Sequence, residues 1–123
     1  MPGIRKFQRL GFVQCTQDVN LANANYTMAV VDKNVYETGL NGSRSVVLPP
    51  VGECVGGIYT LWIATFTSGT MTVYATDAAD EFKANILSDA GTFVQSIALG
   101  AAFDYLVLYS TGRMWVVLAK EVT

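Results

Sequence analysis

No histidine occurs anywhere in this chain. That removes the Ser-His-Asp and Cys-His machineries and the commonest general base near neutral pH. The only two cysteines, Cys15 and Cys54, stand far apart with no CxxC spacing. A zinc site is therefore not expected, and two reduced thiols are the plain expectation. Charge is scarce as well: 15% of residues are charged against 51% apolar, where about 25% charged is usual in globular chains. A lone monomer with so few charges has little solvated surface to cover itself with, which points to packing against copies of itself or a larger assembly. No apolar run reaches the roughly 18 residues of a membrane-spanning helix. The start is basic, but Gln8, Arg9, Gln14 and Gln17 interrupt any apolar leader. Neither a signal peptide nor a membrane partner is expected.

The charge that is present is uneven. Residues 1–50 carry a net +2 and residues 51–123 a net −4. The basic cluster Arg5, Lys6 and Arg9 is too small to hold a phosphate backbone, and no basic stripe follows it. Nucleic acid is not an expected partner. An extended arm that docks on a protein surface is the better use for this cluster.

What the chain has in quantity is β-forming residues. Phe103 to Tyr109 and Met114 to Ala119 are apolar runs flanking Ser110-Thr111-Gly112-Arg113. This is the pattern of a β-hairpin, with Gly112 free to take a positive φ. Both faces of both strands are apolar, so the hairpin is expected to be central and covered on each side. Tyr105, Val107, Trp115 and Val117 of this hairpin, with Trp62 from the strand expected over 58–66, are the expected core residues. Trp115 reads as a core aromatic in preference to a ligand-stacking one.

Residues 1–25 lack clean periodicity, and Asn20 to Asn25 reads as a polar loop. The character changes at Tyr26. Strands are expected over 26–31, 35–38 and 44–48, with Asn41-Gly42 as a hairpin signal between the last two. Pro49 and Pro50 must end the third strand, since neither can donate to a ladder. The longest strand is expected over 58–66. Thr67-Ser68-Gly69-Thr70 turns it into a strand over 71–75, and another follows over 92–99. About eight short strands and almost no helix make the expected fold all-β: a single-domain antiparallel β-sandwich, jelly-roll-like, over 26–123 with an extended N-terminal arm over 1–25.

No motif specifies an enzyme. Asp77, Asp80 and Glu81 sit together, but neighbours in a loop are not two acids across a cleft, and a solvated acidic loop is the expectation. No calcium loop is present, so neither a metal nor a cofactor is expected. Gly56-Gly57 is not followed by the Lys-Ser/Thr of a phosphate loop. Asn25-Tyr26-Thr27 and Asn41-Gly42-Ser43 match the glycosylation pattern, a match that is common by chance.

Leu48-Pro49-Pro50-Val51-Gly52, the strand through Tyr59 and Trp62, the Thr-rich strand at 70–74 and the closing Leu108 to Leu118 hairpin together resemble small β-sandwich proteins of tailed bacteriophages. In these a strand ending in Leu-Pro is followed by a Gly-bearing crossover, and the chain closes on a Gly-Trp hairpin. The resemblance covers roughly residues 26–123. It implies a decoration (cement) or head-fibre protein, commonly trimeric, on the outer capsid surface of a virion with the major capsid protein as partner. On that reading Arg5, Lys6, Phe7, Arg9, Leu10 and Phe12 of the arm are the expected capsid contacts. The alternatives are a tail or fibre module, and a carbohydrate-binding sandwich with Tyr59, Trp62, Tyr74 or Trp115 as stacking platforms.

Overall fold

The computed structural model describes residues 16–75 and 86–123. The strands are β1 (Gln17–Asn20), β2 (Tyr26–Thr27), β3 (Asp32–Val47), β4 (Ile58–Tyr74), β5 (Ile86–Leu87), β6 (Phe93–Val94), β7 (Ser96–Leu99), β8 (Tyr105–Ser110) and β9 (Trp115–Glu121), with one 3-10 turn at Val51–Glu53. The fold is all-β. Among the described residues no helix is long and apolar enough to cross a membrane.

Two long bent strands organise it. β3 runs 16 residues and β4 runs 17. They pair in parallel from Asn34↔Thr60 to Val47↔Tyr74, with register shifts between Glu37 and Asn41. The expected hairpin at Asn41-Gly42 and the expected turn at Thr67–Thr70 are therefore bends inside continuous strands. Gly42 (φ +94°) and Gly69 (φ +92°) both take a positive φ at these bends. Each strand goes on because its second half finds a partner in a neighbouring strand and not in its own first half. The prolines do end β3, and the crossover 48–57 carries only the 3-10 turn where a parallel pair usually has a helix.

Pairing is consequently mixed. β4 pairs antiparallel with β8 through its first half and with β7 through its second. β8 and β9 form the antiparallel hairpin expected at the C-terminus. β1 and β2 lie parallel to the two halves of β3, and β5 lies parallel to β9. The hydrogen-bonded path leaves the first half of β4 through β8, β9, β5 and β6. It returns through Gln95 and β7 to the second half. The bent sheet thus folds over a single core that draws Val35, Leu61, Ile63, Leu106 and Trp115 from one side and Val46, Met71, Val73, Ile97 and Leu99 from the other. Burying a side chain of this size stabilises by about 1.5–3 kcal/mol.

The folded region begins before the composition change at Tyr26. Thr16 and Gln17 donate their N–H groups to the Val31 carbonyl, Leu21 is buried, and Leu21 N–H donates to Tyr36 O. Residues 17–21 belong to the sheet and not to an arm, because their backbone groups pair with β3 and Val19 and Leu21 pack on the core.

Candidate functional site

The bends stack on one another and form a polar seam. Asn23 Oδ1 accepts from Asn41 N–H at 2.9 Å, and Asn41 Oδ1 accepts from Ser68 Oγ at 2.9 Å. Arg44 Nε donates to Asn23 O at 2.8 Å, and Asn25 Oδ1 takes Ser45 N–H. Asparagines that read as loop residues thus replace the missing ladder carbonyls where the first coil turns over β3. Ala22 and Asn23 have φ of +51° and +60°, conformations that asparagine tolerates well.

Three fully buried carboxylates tie this scaffold together. Asp32 Oδ2 accepts from Tyr26 Oη at 2.7 Å and from Ala29 N–H at 2.9 Å. Burial, then the hydrogen bond from Tyr26 to Asp32, pushes the Tyr26 phenol up to about 12. Glu37 Oε1 accepts from Asn23 N–H, while Oε2 is buried without a hydrogen-bond partner. Burial raises the Glu37 pKa above the usual carboxylate range, against the opposing pull of Asn23 N–H and the Arg44 charge. At Asp104 burial acts in the same upward direction. There it is outweighed by hydrogen bonds from the N–H groups of Gly100, Thr123 and Ala101 and from the Thr123 hydroxyl, which hold the pKa low. Each acid faces backbone donors of its own fold. They act as clamps, and none is paired with a second carboxylate across a cleft. Among the described residues no group of three or more His, Cys, Asp or Glu is placed to hold a metal ion.

The aromatic residues divide by face. Trp115 is 1% exposed and meets Tyr59 edge-on at a centroid distance of 5.4 Å. Trp62, Tyr105 and Val107, expected in the core, are half-buried on the outer face. The period-2 pleat turns Leu106, Leu108 and Ser110 inward in their place, so β8 is covered on one side only. Val117 is partly buried and packs against the core. On the outer face Tyr36, Trp62 and Tyr105 fall in register across β3, β4 and β8. Tyr36 and Trp62 stack at 5.1 Å with 21° between their planes, so each ring gives one face to the other.

The arm residues Arg5, Lys6, Phe7, Arg9, Leu10 and Phe12 lie outside the described residues, as do Cys15 and the acidic trio Asp77, Asp80 and Glu81. Cys54 is buried at the end of the crossover. Among the described residues, the large apolar side chains exposed by half or more are Ile58 at 50%, Phe93 at 51%, Leu118 at 53% and Phe103 at 76%.

Comparison of the chain with protein-family models, curated proteins and solved structures finds no match.

Sequence reasoning placed Phe103 in a strand of the closing hairpin. It sits one turn earlier, at φ +67°, in a loop fixed by Phe103 N–H to Ile63 O, Ile63 N–H to Asp104 O and the Asp104 clamp. The small-residue run Gly100-Ala101-Ala102 followed by an aspartate two positions later is the signal that marks this turn.

Proposed function

We propose that the protein is a virion structural protein: a decoration protein on the outer surface of a capsid that bridges subunits of the major capsid protein and associates with itself, as a trimer in the family it resembles. The observation that carries this reading is the surface. A chain with a complete core of its own still leaves Ile58, Phe93, Phe103 and Leu118 half or more exposed, on a molecule with 15% charged residues. Isolated exposed apolar residues are ordinary, but four large ones on so weakly charged a chain suit a protein covered by neighbours. The bent sheet also suits a load-bearing role, since its corners are tied by side-chain hydrogen bonds across successive strands.

The basic and apolar residues Arg5, Lys6, Phe7, Arg9, Leu10 and Phe12 precede β1 in the sequence and are the proposed capsid contacts. Spanning joints between coat subunits resists their separation without any chemistry. The carbohydrate-binding reading has less support: Tyr59 and Trp115 are buried, and one face of Trp62 is taken by Tyr36.

Quantitative mass spectrometry of purified particles, scaled to the major coat protein, tests the proposal. Copy numbers comparable to the coat are expected, and deletion of residues 2–14 is expected to release the protein while the sheet stays folded. A handful of copies moves the protein to the tail or a fibre, and complete absence from particles overturns the virion reading.

A further inference from the structure

Phe103 is the most exposed large apolar residue in the described chain, and its backbone occupies a region that bulky side chains rarely adopt. The loop around it is not loose. Asp104, fully buried, accepts from Gly100 N–H at 2.9 Å and from Thr123 N–H and Oγ1 at 3.0 and 2.9 Å. Phe103 N–H donates to Ile63 O at 2.7 Å. The fold therefore spends hydrogen bonds on holding an aromatic ring out in water in a strained conformation. That arrangement is expected of a residue whose partner lies outside the chain.

A receiving site lies beside it. An open groove of about 340 Å³ runs between β7 and the end of β9, with Val94, Ile97, Ala98 and Val122 as its apolar lining. Ala98 starts the segment that leads to the Phe103 loop, and Val122 precedes Thr123, which the loop holds. An apolar cavity of about 150 Å³ already accepts a benzene ring, so the groove has room for a phenyl side chain. Its rim carries Lys120 and Asp89, which neutralise each other at 3.3 Å. The loop 100–104 has no basic residue, and its single charge, Asp104, is turned inward. A phenyl ring entering this groove meets no unpaired charge, whereas an anionic lipid surface would find nothing basic on the loop to attract it.

We propose that Phe103 of one copy of this chain inserts into the groove lined by Ile97, Ala98 and Val122 of a second copy. Knob and groove adjoin on one end of the molecule, so each copy offers both and the contact can close into a ring by rotation. The inference deepens the self-association in the reading above and does not depend on where the assembly resides.

The test is sedimentation equilibrium on the full chain. Wild type is expected to show a concentration-dependent mass above the monomer. Phe103→Gly is expected to weaken association by about thirtyfold or more, the effect of removing an aromatic anchor. Its thermal midpoint should stay level or rise, because glycine accepts the positive φ. Ala98→Trp, which fills the groove, is expected to weaken association as strongly. Mixing the two variants restores one intact knob and one intact groove, and therefore a heterodimer. A wild type that stays monomeric, a variant that associates like wild type, or a mixture that stays monomeric overturns the proposal. Loss of Phe103→Gly from particles while the wild type is monomeric in solution would assign the ring to a coat pocket and equally overturn it. Particle mass spectrometry reports on the location independently, so failure of either reading is visible without the other.

Discussion

Gly69 lies directly on Gly42 across the β3–β4 bend: a Cβ built at Gly69 would come well inside van der Waals contact distance of the Gly42 carbonyl. Both residues have φ above +90°. The two strands can turn together only because neither carries a side chain at this point.

Replacing Gly69 with alanine is therefore expected to cost more than about 2 kcal/mol, since the backbone clash adds to the strained φ. Gly39 has φ +80° but open space where a Cβ would go. Gly39→Ala should cost only about 1 kcal/mol. Urea unfolding of both variants checks this, and equal losses would show that contact between the bends is unimportant.

Glu37 binds its proton more tightly in the folded chain than in the unfolded one, because burial disfavours its charge. Its contribution is fully present below the ordinary carboxylate pKa and is lost as pH rises through the raised folded value. Glu37→Gln is expected to flatten the stability profile above the ordinary carboxylate range. Thermal midpoints of the two proteins across that range decide it, and parallel curves would remove Glu37 as the source.

Asp104 behaves in the opposite sense. Its folded pKa is held low by hydrogen bonds, so its contribution is present above the ordinary carboxylate range and lost as pH falls through the lowered value. Asp104→Ala leaves the N–H groups of Gly100 and Thr123 without their acceptor, at a cost of about 2–4 kcal/mol at neutral pH. That loss should shrink in strong acid, where the wild-type carboxylate is itself protonated. Chemical denaturation at neutral and acid pH provides the comparison.

Tyr26 donates to buried Asp32, and the phenolate would meet that carboxylate at short range. A spectrophotometric titration is expected to show one tyrosine ionising at about 12 that disappears in Tyr26→Phe. The same variant should lose about 1–2 kcal/mol of stability, since Asp32 keeps only its bond from Ala29. An unchanged titration curve would disprove the contact.

The two tryptophans should differ in fluorescence. Trp115, in the core, is expected to emit to the blue and resist iodide, while half-buried Trp62 is quenched. Trp115→Ala is expected to cost about 3–5 kcal/mol and Trp62→Ala clearly less. Equal quenching of Trp62→Phe and Trp115→Phe would contradict the division of faces.

Much of the fold was legible in one dimension. The closing hairpin around Gly112, the stop at Pro49-Pro50 and the long strand from Ile58 followed from local residue chemistry. The bends at Gly42 and Gly69 were legible as turn positions but not as bends within continuous strands, because a turn signal records local backbone conformation and says nothing of which strand will pair with the flanking segments. The inward face of β8 was illegible for a related reason. Tyr105, Val107 and Tyr109 are bulky strand formers with large apolar surface, as Leu106 and Leu108 are, so pattern alone did not choose between the two faces.

What the sequence determined by itself is therefore class and local geometry: an all-β chain without histidine chemistry, with its breaks set by glycine and proline. Tertiary structure alone decided that β3 and β4 run parallel, that residues 17–21 join the sheet, and that Asp104 reaches Thr123 to hold Phe103 in solvent. Those outcomes depend on contacts between residues far apart in the chain. Their free energy comes from shared burial and completed hydrogen bonds, which no local window of sequence contains.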